Sequence, residues 1–154
     1  MSVAPPSTEN LLVIATRYHQ AGQLEQAAAI YREALAQNPD CFDALHMLGV
    51  IAYQQGDLAT ARQLLEQALA GSGEVPDMLS NYALILSRAG PASTLENCYR
   101  RLIAAAPEDA DARYKLGNLL REQGDSHGAI ACYRDAVALR PSFAEGYYNL
   151  GLTL

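Results

Sequence analysis

The sequence predicts an all-α fold, a solenoid of antiparallel helix hairpins, and three observations carry that prediction. A 34-residue period runs from Thr8 to the end of the chain, so that Thr8, Phe42, Pro76, Ala110 and Ala144 open successive copies of one unit. Each full unit holds two apolar stretches at helical spacing, with Gly22, Gly56, Gly90 or Gly124 between them. Pro39, Pro107 and Pro141 recur near the unit ends, where proline disfavours helical geometry in the residue before it and has no backbone N–H to donate. One supersecondary unit repeated in tandem reads as a stack of nearest neighbours, not as a globular enzyme core.

The elements follow in order. Residues 1–7, with Pro5 and Pro6, are expected to form a disordered lead-in. The repeats then span 8–41, 42–75, 76–109 and 110–143, and a partial fifth spans 144–154. In the first, Ala15, Ala27 and Ala34 stand where two helices would otherwise collide, and Tyr18 and Tyr31 fill the space between hairpins. The second carries Leu48, Gly49, Ala61, Leu65 and Ala68 at the matching positions, and the fourth Leu116, Gly117, Ala129, Tyr133 and Ala136. Small residues at the eighth and twentieth positions allow helix axes to approach to about 8 to 10 Å. The four glycines are expected to end the first helix of each pair in left-handed conformation. Asp57 and Asp125 are candidate caps for second helices, and Ser93 with Glu96 has capping-box spacing. The third repeat departs most. Leu95 and Leu102 replace small residues, Pro91 follows Gly90, and the junction Gly71-Ser72-Gly73-Glu74-Val75-Pro76 lacks the late proline, which reads as a variant turn first and a hinge or local change of twist second.

Composition narrows the function classes. Half of the 154 residues are hydrophobic, yet no run approaches the ~20 apolar residues a membrane-spanning helix requires. The net charge is −6, all of it in residues 1–77, where three arginines face nine acids. That balance disfavours nucleic acid and leans toward a partner with a basic segment. Acids at the second position of every repeat, Glu9, Asp43, Asp77, Asp111 and Glu145, suit the helix dipole. The three cysteines form no metal-type pair, and their odd number argues against a disulfide framework, so a cytoplasmic setting is expected. His19, His46 and His127 make no zinc or protease motif, and Gly71-Ser72-Gly73 lacks the ending of a phosphate loop. No enzyme activity, cofactor or metal is expected within these residues.

The spacing of Leu48, Gly49, Ala61 and Ala68, and of Leu116, Gly117, Gly124, Ala129, Tyr133, Ala136 and Pro141, resembles the tetratricopeptide repeat family over almost everything after the first seven residues. The resemblance implies a right-handed superhelix whose first helices line a concave groove that holds an extended peptide. Carried over by register, the groove residues are Leu12, Thr16 and His19 in the first repeat and His46, Val50, Tyr53 and Gln54 in the second. Ser80, Leu84, Ser87 and Arg88 follow in the third, Tyr114, Asn118 and Arg121 in the fourth, and Tyr148 with Asn149 in the fifth. Tyr53, Tyr114 and Tyr148 are the expected anchors, and Tyr114 with Asn118 is expected to be removable without loss of fold. The carboxylate clamp of co-chaperone members is not matched, because Tyr114 stands where its first lysine belongs.

Leu116-Gly117-Asn118-Leu119-Leu120 and Tyr148-Asn149-Leu150-Gly151 also look like the repeats of O-linked N-acetylglucosamine transferases. Those enzymes carry a ladder of asparagines at position six, here broken as Val13, Met47, Asn81, Lys115 and Asn149. The primary expectation is a protein-binding scaffold, and the alternative is the recognition arm of a larger glycosyltransferase. The stop within a first helix leaves Tyr147, Leu150 and Leu154 without a covering helix, from which a truncated array is expected, or else a homodimer through that helix.

Overall fold

The computed structural model describes residues 6–154, and nine helices and no strand occur among them. They are α1 (Thr8–Gln20), α2 (Leu24–Gln37), α3 (Phe42–Gln54), α4 (Leu58–Ser72), α5 (Pro76–Ala89), α6 (Ala92–Ala105), α7 (Ala110–Glu122), α8 (Ser126–Leu139) and α9 (Ala144–Thr153). The odd-numbered helices open at the five residues of the 34-residue register. Residues 1–5 of the expected lead-in lie outside the described residues. At its end, Ser7 accepts a hydrogen bond from the Asn10 N–H, and the Pro6 carbonyl accepts one from the Gln37 amide at 3.1 Å.

Local chemistry explains the helix ends. Gly22, Gly56 and Gly124 have φ of +74°, +85° and +86°, the left-handed turn that breaks each hairpin. Gly90 differs from the expectation, with φ −107° and ψ 161°. The cause is Pro91, whose ring pushes the preceding residue into extended backbone. Gly73 instead takes φ +81° and terminates α4 at the position where the other full repeats carry proline. Asp57 and Asp125 cap α4 and α8 by accepting from Thr60 and Gly128 N–H groups at 3.0 and 2.9 Å. Asp109 caps α7 in the same way through Ala112. The capping box at Ser93 is not formed, because α6 already begins at Ala92 behind Pro91. Ser93 therefore lies inside the first turn, and Glu96 pairs with Arg100 one turn on at 2.9 Å.

The chain divides into two compact units, Met1–Gly73 and Glu74–Leu154, where the register expects one continuous stack. The boundary falls in the junction whose sequence departs most from the repeat.

In the first unit α1 packs on α2 and α3 on α4. Ala15, Ala27, Ala34, Ala44 and Ala61 are wholly buried and let the helices close on Tyr31, Ile51 and Leu65. Gly49 lies directly against the Leu65 side chain, and Gly71 lies beneath the Phe42 ring.

In the second unit α5 packs on α6 and α7 on α8, with α9 against α8. Leu95 and Leu102 take the places of alanines and are buried between the helices. Gly117 faces the Tyr133 ring, and a Cβ added there would lie 2.7 Å from its edge. Tyr133 is wholly buried and cannot swing aside. Gly117→Ala is therefore expected to destabilise the protein by about 1 to 3 kcal/mol through overpacking, read as a lower urea midpoint. An unchanged midpoint would show that the hairpin can open to admit a methyl group.

Candidate functional site

Two rules of the repeat decide which polar side chains are free to meet a ligand. The first concerns the tyrosine at position twenty-four. In the first repeat the Tyr31 hydroxyl meets Thr16 Oγ1 at 3.1 Å, and Thr16 also donates to the Leu12 carbonyl. In the fourth, Tyr133 donates to Asn118 Oδ1 at 2.8 Å. Position nine of the first helix thus satisfies position twenty-four of the second. Burial raises the pKa of Tyr31 and Tyr133 above the ordinary phenol value, so both remain neutral donors at physiological pH.

The third repeat breaks that rule. Position nine is Leu84, 46% exposed, and the Tyr99 hydroxyl has no hydrogen-bond partner among the described residues. Among the described residues no fully buried side-chain oxygen or nitrogen lacks a partner, so this hydroxyl reaches solvent although Tyr99 as a whole is only 6% exposed. Tyr99 lines a cleft of about 110 Å3 between α5, α6 and α7. Buried Ala83, Tyr99, Leu102 and Ala112 form the floor, and Ser80, Leu84, Ser87, Asp109, Asp111 and Lys115 form the rim. Ser87 donates to the Leu84 carbonyl, leaving its oxygen to accept. Asp111 is held bidentately by Arg140 at 2.9 and 3.0 Å, which lowers its pKa below the ordinary carboxylate value. Ser80, Leu84 and Ser87 were expected on the groove. Lys115, Asp109, Asp111 and Tyr99 were not singled out for it, although the position-nine leucine beside a position-twenty-four tyrosine was the readable signal.

The second rule concerns the end of the second unit, where the expected groove residues are spent on one another. Asn149, 8% exposed, donates from its amide to the Tyr114 hydroxyl at 2.9 Å and to Asn118 Oδ1 at 3.0 Å. Its own oxygen accepts from Arg121 at 3.5 Å. The Tyr114 ring lies 5.8 Å from Tyr133 and 4.8 Å from Phe143, and Arg140 stacks over Phe143. Tyr114 and Asn118 are thus held by side-chain bonds within the second unit, against the expectation that both face a ligand freely. Tyr148, by contrast, is 67% exposed on α9, with Leu152 beside it on the same face.

In the first unit His19 Nε2 meets Gln54 Oε1 at 2.9 Å and links α1 to α3. Leu12, Thr16, His46, Val50 and Tyr53 are half-buried. Among the described residues no group of His, Cys, Asp and Glu side chains comes together as a metal site, and no helix is long and apolar enough to cross a membrane. Cys98 is buried, donates to the Leu79 carbonyl, and has its thiol pushed up to about 11 by burial.

Helix hairpins in a 34-residue register, with one face of polar and aromatic side chains, define a helical repeat array. Models of the tetratricopeptide repeat match residues 12–78, 98–131 and 117–154, which together take in most of the chain. The chain belongs to the tetratricopeptide repeat family. No curated protein matches its sequence. Solved structures do match its fold. YrrB, described as a tetratricopeptide repeat protein with an unusual peptide-binding site, is 22% identical with a TM-score of 0.84, covering 94% of this chain and 74% of that one. MamA from Desulfovibrio magneticus RS-1 is 20% identical with a TM-score of 0.84, covering 98% and 85%. A repeat protein from Parabacteroides merdae is 21% identical with a TM-score of 0.86, covering 95% and 58%. At these identities the likeness is one of fold.

Proposed function

We propose that the protein is a protein-interaction scaffold that binds an extended peptide segment on the first-helix face, with the cleft between α5 and α7 as its principal subsite. The carrying observation is the Tyr99 hydroxyl, left without an internal partner at the floor of that cleft. A peptide carbonyl or amide there gains a hydrogen bond that Thr16 and Asn118 supply internally in the first and fourth repeats. Exposed Leu84 offers an apolar contact at the rim, and Lys115 offers a cation for a carboxylate. Exposed Tyr148 and Leu152 add aromatic and aliphatic area on α9. The peptide-binding site named for YrrB is consistent with this use of the fold.

The glycosyltransferase-arm alternative rests on position-six asparagines meeting substrate backbone. Asn149 has its amide engaged by Tyr114 and Asn118, which favours the scaffold reading.

Peptides selected from a random library on the immobilised protein test the proposal. Tyr99→Phe is expected to weaken them by up to about tenfold with no loss of stability, because the hydroxyl makes no internal bond. Leu84→Asp is expected to weaken them further, with helical content unchanged. Equal binding by both variants and the parent would overturn the assignment of the cleft.

A further inference from the structure

A second cleft lies in the first unit, on the other face of α3. It has a volume of about 360 Å3 and lies between α2, α3 and α4. Leu48 and Ile51 of α3 line it together with Gln55 at the helix end, and at about 3.6 residues per turn they face away from Val50, Tyr53 and Gln54. Leu35 and Leu64 make its half-buried apolar walls, while Arg32 and Asp57 stand at its mouth.

Comparison between repeats shows what is unusual about Arg32. The same two positions on α4 hold Arg62 and Glu66, ion-paired at 2.8 Å, and on α6 they hold Glu96 and Arg100, paired at 2.9 Å. On α2 the partner position is Ala28, so Arg32 makes no hydrogen bond or ion pair among the described residues. On α8 the bulkier Ile130 fills that position. The α2 arrangement therefore leaves both a free guanidinium and the space a carboxylate side chain would occupy. Asp57 uses one oxygen to cap α4, and the Thr60 side chain and backbone N–H together lower its pKa.

We infer that this cleft is a second interaction surface, which takes a partner segment carrying an aliphatic side chain between an acidic and a basic residue. The partner's carboxylate completes the pair that Arg32 lacks, its aliphatic group covers Leu35 and Leu64, and its cation meets Asp57. Such a partner engages the face of α3 opposite Val50, Tyr53 and Gln54.

Two probes test this, the blocked tetrapeptide acetyl-Glu-Leu-Leu-Lys-amide and its Gln-Leu-Leu-Lys counterpart, titrated at millimolar concentration into isotope-labelled protein. The expected result is amide shifts at Leu35, Gln55 and Leu64, with the glutamate probe binding about tenfold more tightly. Arg32→Gln, at an exposed site, should erase that difference. Ala28→Glu copies the α6 arrangement and should abolish binding. Asp57→Asn keeps a capping side chain and should weaken both probes alike. No shift, equal affinity of the two probes, shifts confined to Val50 and Tyr53, or indifference to Arg32→Gln would each overturn the inference. Should Ala28→Glu fail to fold, Arg32→Gln alone decides it.

Discussion

Replacing Tyr133 with alanine is expected to lower unfolding stability by about 3 to 5 kcal/mol, which for a domain of ordinary stability removes much of the margin. The ring is wholly buried, fills the space opened by Gly117, touches Tyr114 and donates to Asn118. Truncation therefore leaves a cavity and deprives a half-buried amide of one bond. Tyr133→Phe separates the two contributions. It keeps the packing and loses only the hydroxyl bond, for which about 0.5 to 1.5 kcal/mol is expected. Chemical denaturation of the pair checks the result. If alanine costs no more than phenylalanine, the second unit owes its stability to something other than this packed ring. Tyr99→Phe is the matched comparison. It removes the same hydroxyl from the same repeat position but should leave stability untouched, since Tyr99 has no internal acceptor.

Asn149→Ala is the other substitution with a large expected effect, about 1 to 3 kcal/mol. Asn149 hydrogen-bonds α9 to α7, donating to Tyr114 and Asn118 and accepting from Arg121. Its loss leaves the Tyr114 hydroxyl without a donor, and α9 then rests on Gly146 against Val137 of α8 and on the Phe143 ring against Tyr114. Amide exchange in α9 should accelerate well before that of α5 and α6. Uniform exchange across the second unit would contradict the view that this network anchors the last helix. By the same reasoning, Tyr114→Ala with Asn118→Ala should melt early, so it cannot serve as a binding-only variant.

Much of the architecture was readable because the repeat imposes its own arithmetic. Helix starts at Thr8, Phe42, Pro76, Ala110 and Ala144 follow from counting, and wholly buried Ala15, Ala27, Ala61 and Ala129 follow from the steric need for small residues where helices cross. Caps at Asp57 and Asp125 follow from their place after a turn glycine. Expectations that treated each repeat as a copy fared less well. Gly90 has the position of a left-handed glycine, but the residue after it decides its backbone. Ser93 has capping-box spacing, yet the helix had already started.

The site was less readable for a related reason. Register assigns a residue to a face, but whether its polar group is spent depends on its neighbour one repeat or one helix away. Asn149 and Asn118 were both expected on the groove, and Asn149 donates to Asn118. Tyr99 lies at a core position and is left open because Leu84 cannot bond to it. Pairing positions nine and twenty-four within each repeat would have separated these cases from sequence.

The proposed interaction is tested most directly by an amide chemical-shift map of the protein with a library-selected peptide, recorded on the parent and on Tyr99→Phe. Saturable shifts are expected around Ser80, Leu84, Ser87, Tyr99 and Lys115, with weaker binding and the same mapped surface in the variant. Shifts confined to residues outside the α5 to α7 cleft, or identical affinity without the Tyr99 hydroxyl, would contradict it.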